Sequence, residues 1–153
     1  MPDPVTFTST SARYELPFLF SGQSQKEFTV NEALALTDSL LHPAIEGTAE
    51  TPPTAPVDGD CWLVGATPTD AWAYNAGEIA CRQAGAWLFV VPRDGLHVLD
   101  KSTGQTILFR DGSWQRPSAP AAAAGGATVD AEARTAIADL IDALIAAGIL
   151  PSA

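Results

Sequence analysis

Between Asp58 and Gln115 turn residues cut the chain into short apolar or alternating segments, and this pattern restricts the fold more than any other feature. The segments are Cys61–Val64, Ala71–Tyr74, Ile79–Arg82, Trp87–Val91, Leu96–Leu99, Thr106–Arg110 and Ser113–Gln115. Between them stand Asp58-Gly59, Asn75-Ala76-Gly77, Ala84-Gly85, Arg93-Asp94-Gly95, Ser102-Thr103-Gly104 and Asp111-Gly112. Side chains alternate faces along a strand, and Gly, Asn and Asp supply the positive φ angles that tight hairpins need. Turn signals at intervals of about 8–12 residues predict an antiparallel β-meander forming a small sheet, barrel or sandwich. Helix–turn–strand alternation is missing, which argues against a parallel sheet. A faint internal echo runs through the region: Gly85-Ala86-Trp87 and Gly112-Ser113-Trp114 each follow a turn and open a strand, with Gly59-Asp60-Cys61-Trp62 a looser version.

On either side the pattern becomes helical. Val30, Ala33, Leu34, Leu40 and Leu41 recur at helical spacing up to Pro43, predicting a helix over about 30–41. Two capping boxes overlap at its start, Ser24-x-x-Glu27 and Thr29-x-x-Glu32, and the second is favoured. Residues 46–58 form a proline-rich connector. After Trp114 come Pro117-Ser118-Ala119-Pro120, four alanines and Gly125-Gly126, then one strong helical pattern. Ile137, Leu140, Ile141, Leu144 and Ile145 fall at i, i+3, i+4, i+7 and i+8, a stripe about 140° wide. Asp130 suits the N-cap and Gly148 with Pro151 suits the stop. A lone amphipathic helix of this length is marginal in water and must bury its stripe. A stripe wider than a two-stranded seam suits a bundle of three or more helices, or a groove on a neighbouring subunit. The expected class is therefore α+β: an extended segment 1–13, a domain 14–116, a linker 117–126 acting as a mobile hinge, and an oligomerisation or docking helix in 127–153.

Composition narrows the function. Eighteen acidic against eight basic residues give a net charge of −10, which argues against nucleic acid and anionic membranes as partners. The start Met1-Pro2-Asp3-Pro4-Val5 has neither a basic nor an apolar leader region, so a cytoplasmic origin is expected. No apolar run reaches the ~18 residues of a membrane span. Cys61 and Cys81 are the only cysteines. They are expected as free buried thiols, although pairing stays open. With His42 and His97 they lack zinc-site spacing, and neither a phosphate loop nor a nucleophile elbow is found, so no metal, cofactor or catalytic residue is expected.

Two groups of residues are candidates for contact. Trp62, Trp72, Trp87 and Trp114, with Tyr74, can stack on pyranose rings or fill the core of a small sheet. Trp72 and Tyr74, in a polar loop, are the exposed candidates for glycan binding. Gln23, Gln25, Lys26, Asn31 and Glu32 form a polar cluster that either caps the first helix or contacts another subunit.

Leu16-Pro17-Phe18, Gln23-Ser24-Gln25-Lys26-Glu27, Thr29-Val30-Asn31-Glu32-Ala33-Leu34, Gly77-Glu78-Ile79-Ala80, Gly85-Ala86-Trp87 and Asp111-Gly112-Ser113-Trp114 occur in an order that resembles an uncharacterised domain family of tailed phages, prophages and gene transfer agents. Its members look like tail-fibre and head-spike proteins, and the resemblance covers about 14–115. It implies a structural place in a virion, made in the bacterial cytoplasm, with capsid, tail or other spike proteins as partners and host-surface attachment as the task. It supplies no catalytic residues. The long shaft and large tip of many fibres are missing here, so a base, connector or minimal spike is expected, assembling as a homo-oligomer. The alternative is a carbohydrate-binding adhesion module that recognises a host capsular or surface polysaccharide directly.

Overall fold

The computed structural model describes residues 26–126 and 130–152. Helix α1 (Lys26–Leu41) leads into two-residue strands β1 (Ala44–Ile45) and β2 (Thr48–Ala49). Strands β3 (Cys61–Val64), β4 (Ile79–Gln83), β5 (Ala86–Val90), β6 (His97–Asp100), β7 (Gln105–Arg110) and β8 (Ser113–Gln115) follow, then helix α2 (Ala131–Ala146). The fold is α+β with two four-stranded sheets, ordered β1-β6-β7-β8 and β2-β3-β4-β5, and no closed barrel.

The sheets are built alike. Each has a short parallel edge strand, β1 on β6 or β2 on β3, followed by an antiparallel meander of three. The Gly-x-Trp echo marks the last hairpin of each meander. Its turns, Ala84-Gly85 and Asp111-Gly112, have all four φ angles positive, as a two-residue hairpin with strand-like twist requires. In register Trp87 faces Arg82 and Trp114 faces Phe109, the same place in each unit. The meanders differ in one connection: β6 and β7 are joined by residues 101–104, whereas β3 and β4 are joined by the longer excursion 65–78.

One core lies between the sheets. Alternation sends Cys61, Leu63, Ile79, Cys81 and Val90 inward to meet Ile45, Leu96, Val98 and Ile107. The opposite faces of β3, β4 and β5 carry a second cluster, in which Val64, Trp72 and Ala80 are buried beside Trp62, Trp87 and Phe89. Arg116 ties the sheets together. It donates to the Asp100 carboxylate on β6 at 2.5 Å and to Thr48 Oγ1 on β2 at 2.7 Å.

Several expectations need correction. The β1 and β2 pairings are parallel; strands of two residues are too short to carry a period readable in the sequence. Ala71–Tyr74 is not a strand; a single 3-10 turn spans Asp70–Trp72. Helix α1 already contains Lys26, so Thr29 lies inside it and is not its cap. Its packed side is Leu36 and Leu40 against the core, while Val30, Leu34 and Leu41 of the expected stripe are exposed.

The C-terminal arm is not a free hinge. Asp130 caps α2 by accepting from the Ala133 N–H at 2.8 Å, and Gly148 at φ +68° ends it. The chain then returns to β7. Thr106 N donates to Gly148 O at 2.6 Å, Ser152 N donates to Thr103 O at 2.8 Å, and Leu150 is buried. Gln105, buried at the start of β7, donates through Nε2 to Pro117 O at 2.6 Å and to Ile149 O at 2.9 Å. One amide thus holds both ends of the arm.

Candidate functional site

Three places combine accessibility with unusual chemistry. The first is α2. Although its C-terminal end is clasped to β7, none of its residues is buried. Ile137 is 47% and Leu140 60% exposed, whereas Ile141, Leu144 and Ile145 are half-buried. The chain anchors the C-terminal end of the helix without covering the outer part of its stripe.

The second is the 65–78 excursion, which is firmly built. Trp72, at 0% exposure, plugs its underside and meets Trp87 edge-on at 5.1 Å. The Glu50 carboxylate accepts from Ala66 N and Thr67 N, and Asn75 Nδ2 donates to the Trp72 and Ala73 carbonyls. Trp114 Nε1 reaches over from β8 to Gly77 O at 2.9 Å. Above this scaffold Tyr74 is fully exposed with φ +76°, and Asp70 has φ +53°. A bulky non-glycine residue in that region is strained, and such residues gather at contact and switch sites. The two glycan candidates therefore separate: Trp72, expected at the surface, is a core anchor, while Tyr74 stands alone. Trp62, Trp87 and Trp114 are half-buried in packing contacts, and His97 is exposed on β6.

The polar cluster is only partly placed. Gln23 and Gln25 lie outside the described residues, Lys26 and Asn31 are on the α1 backbone, and Glu32 is exposed on that helix.

The third place is a cavity of about 200 Å³ beneath the C-terminal half of α1, lined by Ser39, His42, Cys61, Cys81, Arg82 and Lys101 among others. Cys61 and Cys81 are paired directly across β3 and β4, with Sγ atoms 2.8 Å apart. The Cys61 thiol donates to the Cys81 sulfur. That bond, with burial, pushes the Cys61 thiol well above its ordinary range; at Cys81 the same bond outweighs burial and lowers the pKa, favouring the thiolate. Lys101, at the cavity edge, is ion-paired with Glu46 at 2.6 Å, which raises its pKa. Among the described residues no cluster of three or more His, Cys, Asp or Glu side chains is arranged to hold a metal ion, and no helix is long and apolar enough to cross a membrane.

The model of a family described as "protein of unknown function (DUF2793)" matches residues 30–115, more than half of the 153 residues. The chain belongs to this family. The DUF2793 match takes in most of α1 and all eight strands and ends one residue before Arg116, so the clasped arm lies outside it. No curated protein matches the chain.

Sequence reasoning missed the Gln105 clasp and the Arg116 bridge, and left the Cys61–Cys81 juxtaposition as an open alternative to free buried thiols, which is how both occur. Only the last left a trace, since both cysteines occupy strand-like segments with the same alternation.

Proposed function

We propose that this chain is a structural virion component, a spike or fibre base or connector of a phage-like particle, and that it assembles as a homo-oligomer through α2 to support host-surface attachment. The observation that carries the reading is the stripe on α2, held in place at its C-terminal end with Ile137 and Leu140 left open. The resemblance to tail-fibre and head-spike proteins of phages, prophages and gene transfer agents supports the choice of particle. Completing the burial of these two side chains gains roughly 1 kcal/mol each. Association costs roughly 4 kcal/mol or more. The stripe therefore works as part of a larger interface, or where a particle holds several copies together.

Sedimentation of the purified chain, and cryo-electron microscopy of particles carrying it, test the proposal. Oligomers that dissociate on Leu140→Asp with an unchanged melting temperature, and density for the chain at a fixed particle site, are expected. A chain that stays monomeric at high micromolar concentration and never co-purifies with particles removes the basis of the reading.

A second reading, direct recognition of a surface polysaccharide, is favoured by Tyr74, an exposed ring on a rigid loop. Retention on immobilised capsular polysaccharide should then be lost in Tyr74→Ala while the melting temperature holds. Equal retention by the variant eliminates it.

A further inference from the structure

We propose that Cys61 and Cys81 form a site of reversible oxidative modification, closing to a disulfide across β3 and β4 inside a single chain. Backbone register makes the first argument. Arg82 N donates to Asp60 O at 2.8 Å and Val64 N to Glu78 O at 2.9 Å. Hydrogen-bonded pairs therefore fall at 60/82 and 64/78, and the alternation of an antiparallel ladder leaves Cys61 and Cys81 as a non-hydrogen-bonded pair. Such pairs bring Cα atoms to about 4.5 Å, at the short end of the span a disulfide accepts. A bridge formed there is somewhat strained and correspondingly easy to reduce. The sulfurs are already in contact at 2.8 Å, about 0.8 Å beyond bonding distance. Closure needs side-chain adjustment without strand movement.

Access and selectivity come from the surroundings. Both thiols line the cavity beneath α1, which has room for a small oxidant such as a peroxide. The chain has no third cysteine to compete. The Cys81 thiolate, favoured by the bond it receives, attacks one oxygen of hydrogen peroxide. The O–O bond breaks, hydroxide leaves and takes up a proton as water, and Cys81 becomes a sulfenic acid. Cys61 Sγ then attacks the Cys81 sulfur, the S–O bond breaks, and the departing oxygen takes the Cys61 proton to leave as a second water. Two thiols and one peroxide give one disulfide and two waters. The bridge closes the loop 61–81 and fixes the base of the excursion that carries Tyr74. The inference stands on β3 and β4 alone, whatever particle or ligand the chain serves.

The test uses the full chain, reduced, then given equimolar hydrogen peroxide. Expected are the simultaneous loss of both thiols, a mass lower by two hydrogens, a non-reduced peptide linking Cys61 to Cys81, and full reversal by dithiothreitol. The melting temperature of the oxidised chain should rise by roughly 5–10 °C. The same dose in urea, where the register is gone, should form the link at least tenfold more slowly. Oxygen added to the thiols without a link, links only between chains, or equal rates folded and unfolded would each overturn the proposal.

Discussion

Replacing Arg116 by Met should destabilise the domain in a way whose pH dependence identifies the cause. Asp100 is 1% exposed. Its carboxylate accepts from Ser102 N at 3.0 Å, from Ser102 Oγ at 2.6 Å and from Arg116 at 2.5 Å. Burial alone would raise its pKa, but the Ser102 and Arg116 bonds and the Arg116 charge outweigh burial and hold it below the ordinary 3.8. Removing one partner of a buried ion pair costs about 3–5 kcal/mol. The Arg116 side chain is 33% exposed and Ser102 remains, so we take about 2–3 kcal/mol. At roughly 4 °C per kcal/mol for a chain of this size, the melting temperature falls about 8–12 °C at pH 7. In the native protein the Asp100 contribution is complete above the unfolded pKa and is lost as pH falls through the lower folded value. In the variant only the Ser102 bonds offset burial, so the folded pKa of Asp100 rises, and the penalty shrinks as acid protonates Asp100. The deficit should therefore narrow as pH falls from 7 toward the native folded pKa, which lies below 3.8, and Asp100→Asn added to Arg116→Met should restore most of it. Thermal melts across this range measure all three quantities. A pH-independent deficit, or no deficit, would refute the account of Arg116 as counter-charge and bridge between the sheets.

Gln105→Leu removes both bonds to the ends of the arm and leaves two carbonyls short of a partner, costing about 2–3 kcal/mol; faster hydrogen exchange in α2 than in β3–β5 is the readout, and uniform exchange would contradict a clasp. At a net charge of −10 self-repulsion opposes assembly, so raising ionic strength from about 0.01 M to about 1 M, which shortens the Debye length roughly tenfold, should increase the oligomeric fraction in sedimentation. Tyr74→Gly should raise the melting temperature by a few degrees, because glycine takes φ +76° without strain; a drop would mean that the ring contributes to the fold.

What could be read from the sequence follows from where the determining forces lie. The six longer strands, the two Gly-x-Trp hairpins, the Asp130 cap and the Gly148 stop are set by neighbours a few residues away, through alternation, turn chemistry and orphan N–H groups. They were legible. Strands β1 and β2 owe their existence to ladders supplied by β6 and β3, and no local pattern announces a partner more than fifty residues away in the first case. The arm shows the same limit. Its Pro/Ala/Gly composition describes a flexible chain, whereas its placement is decided by one buried amide on β7 and by Leu150. Deleting 127–153 consequently strips partners from Thr103, Gln105 and Thr106, and tests more than helix docking; the surface substitution at Leu140 is the cleaner probe.

The separation of Trp72 from Tyr74 also explains how the longer loop earns a role. Two residues apart in an extended strand, both rings would share a face. The 3-10 turn at Asp70–Trp72 and the positive φ at Tyr74 break that alternation, driving Trp72 down against Trp87 and turning Tyr74 out. The buried indole supplies the rigidity, and the exposed phenol is left with no structural task. In the companion sheet the equivalent connection is residues 101–104, enough to join its strands. The additional length of 65–78 is thus not needed to close a meander. A loop that is longer than topology requires, braced from Glu50, Asn75 and Trp114, and strained at its one exposed ring suits the polysaccharide contact proposed for Tyr74, because little ordering entropy would remain to be lost on binding.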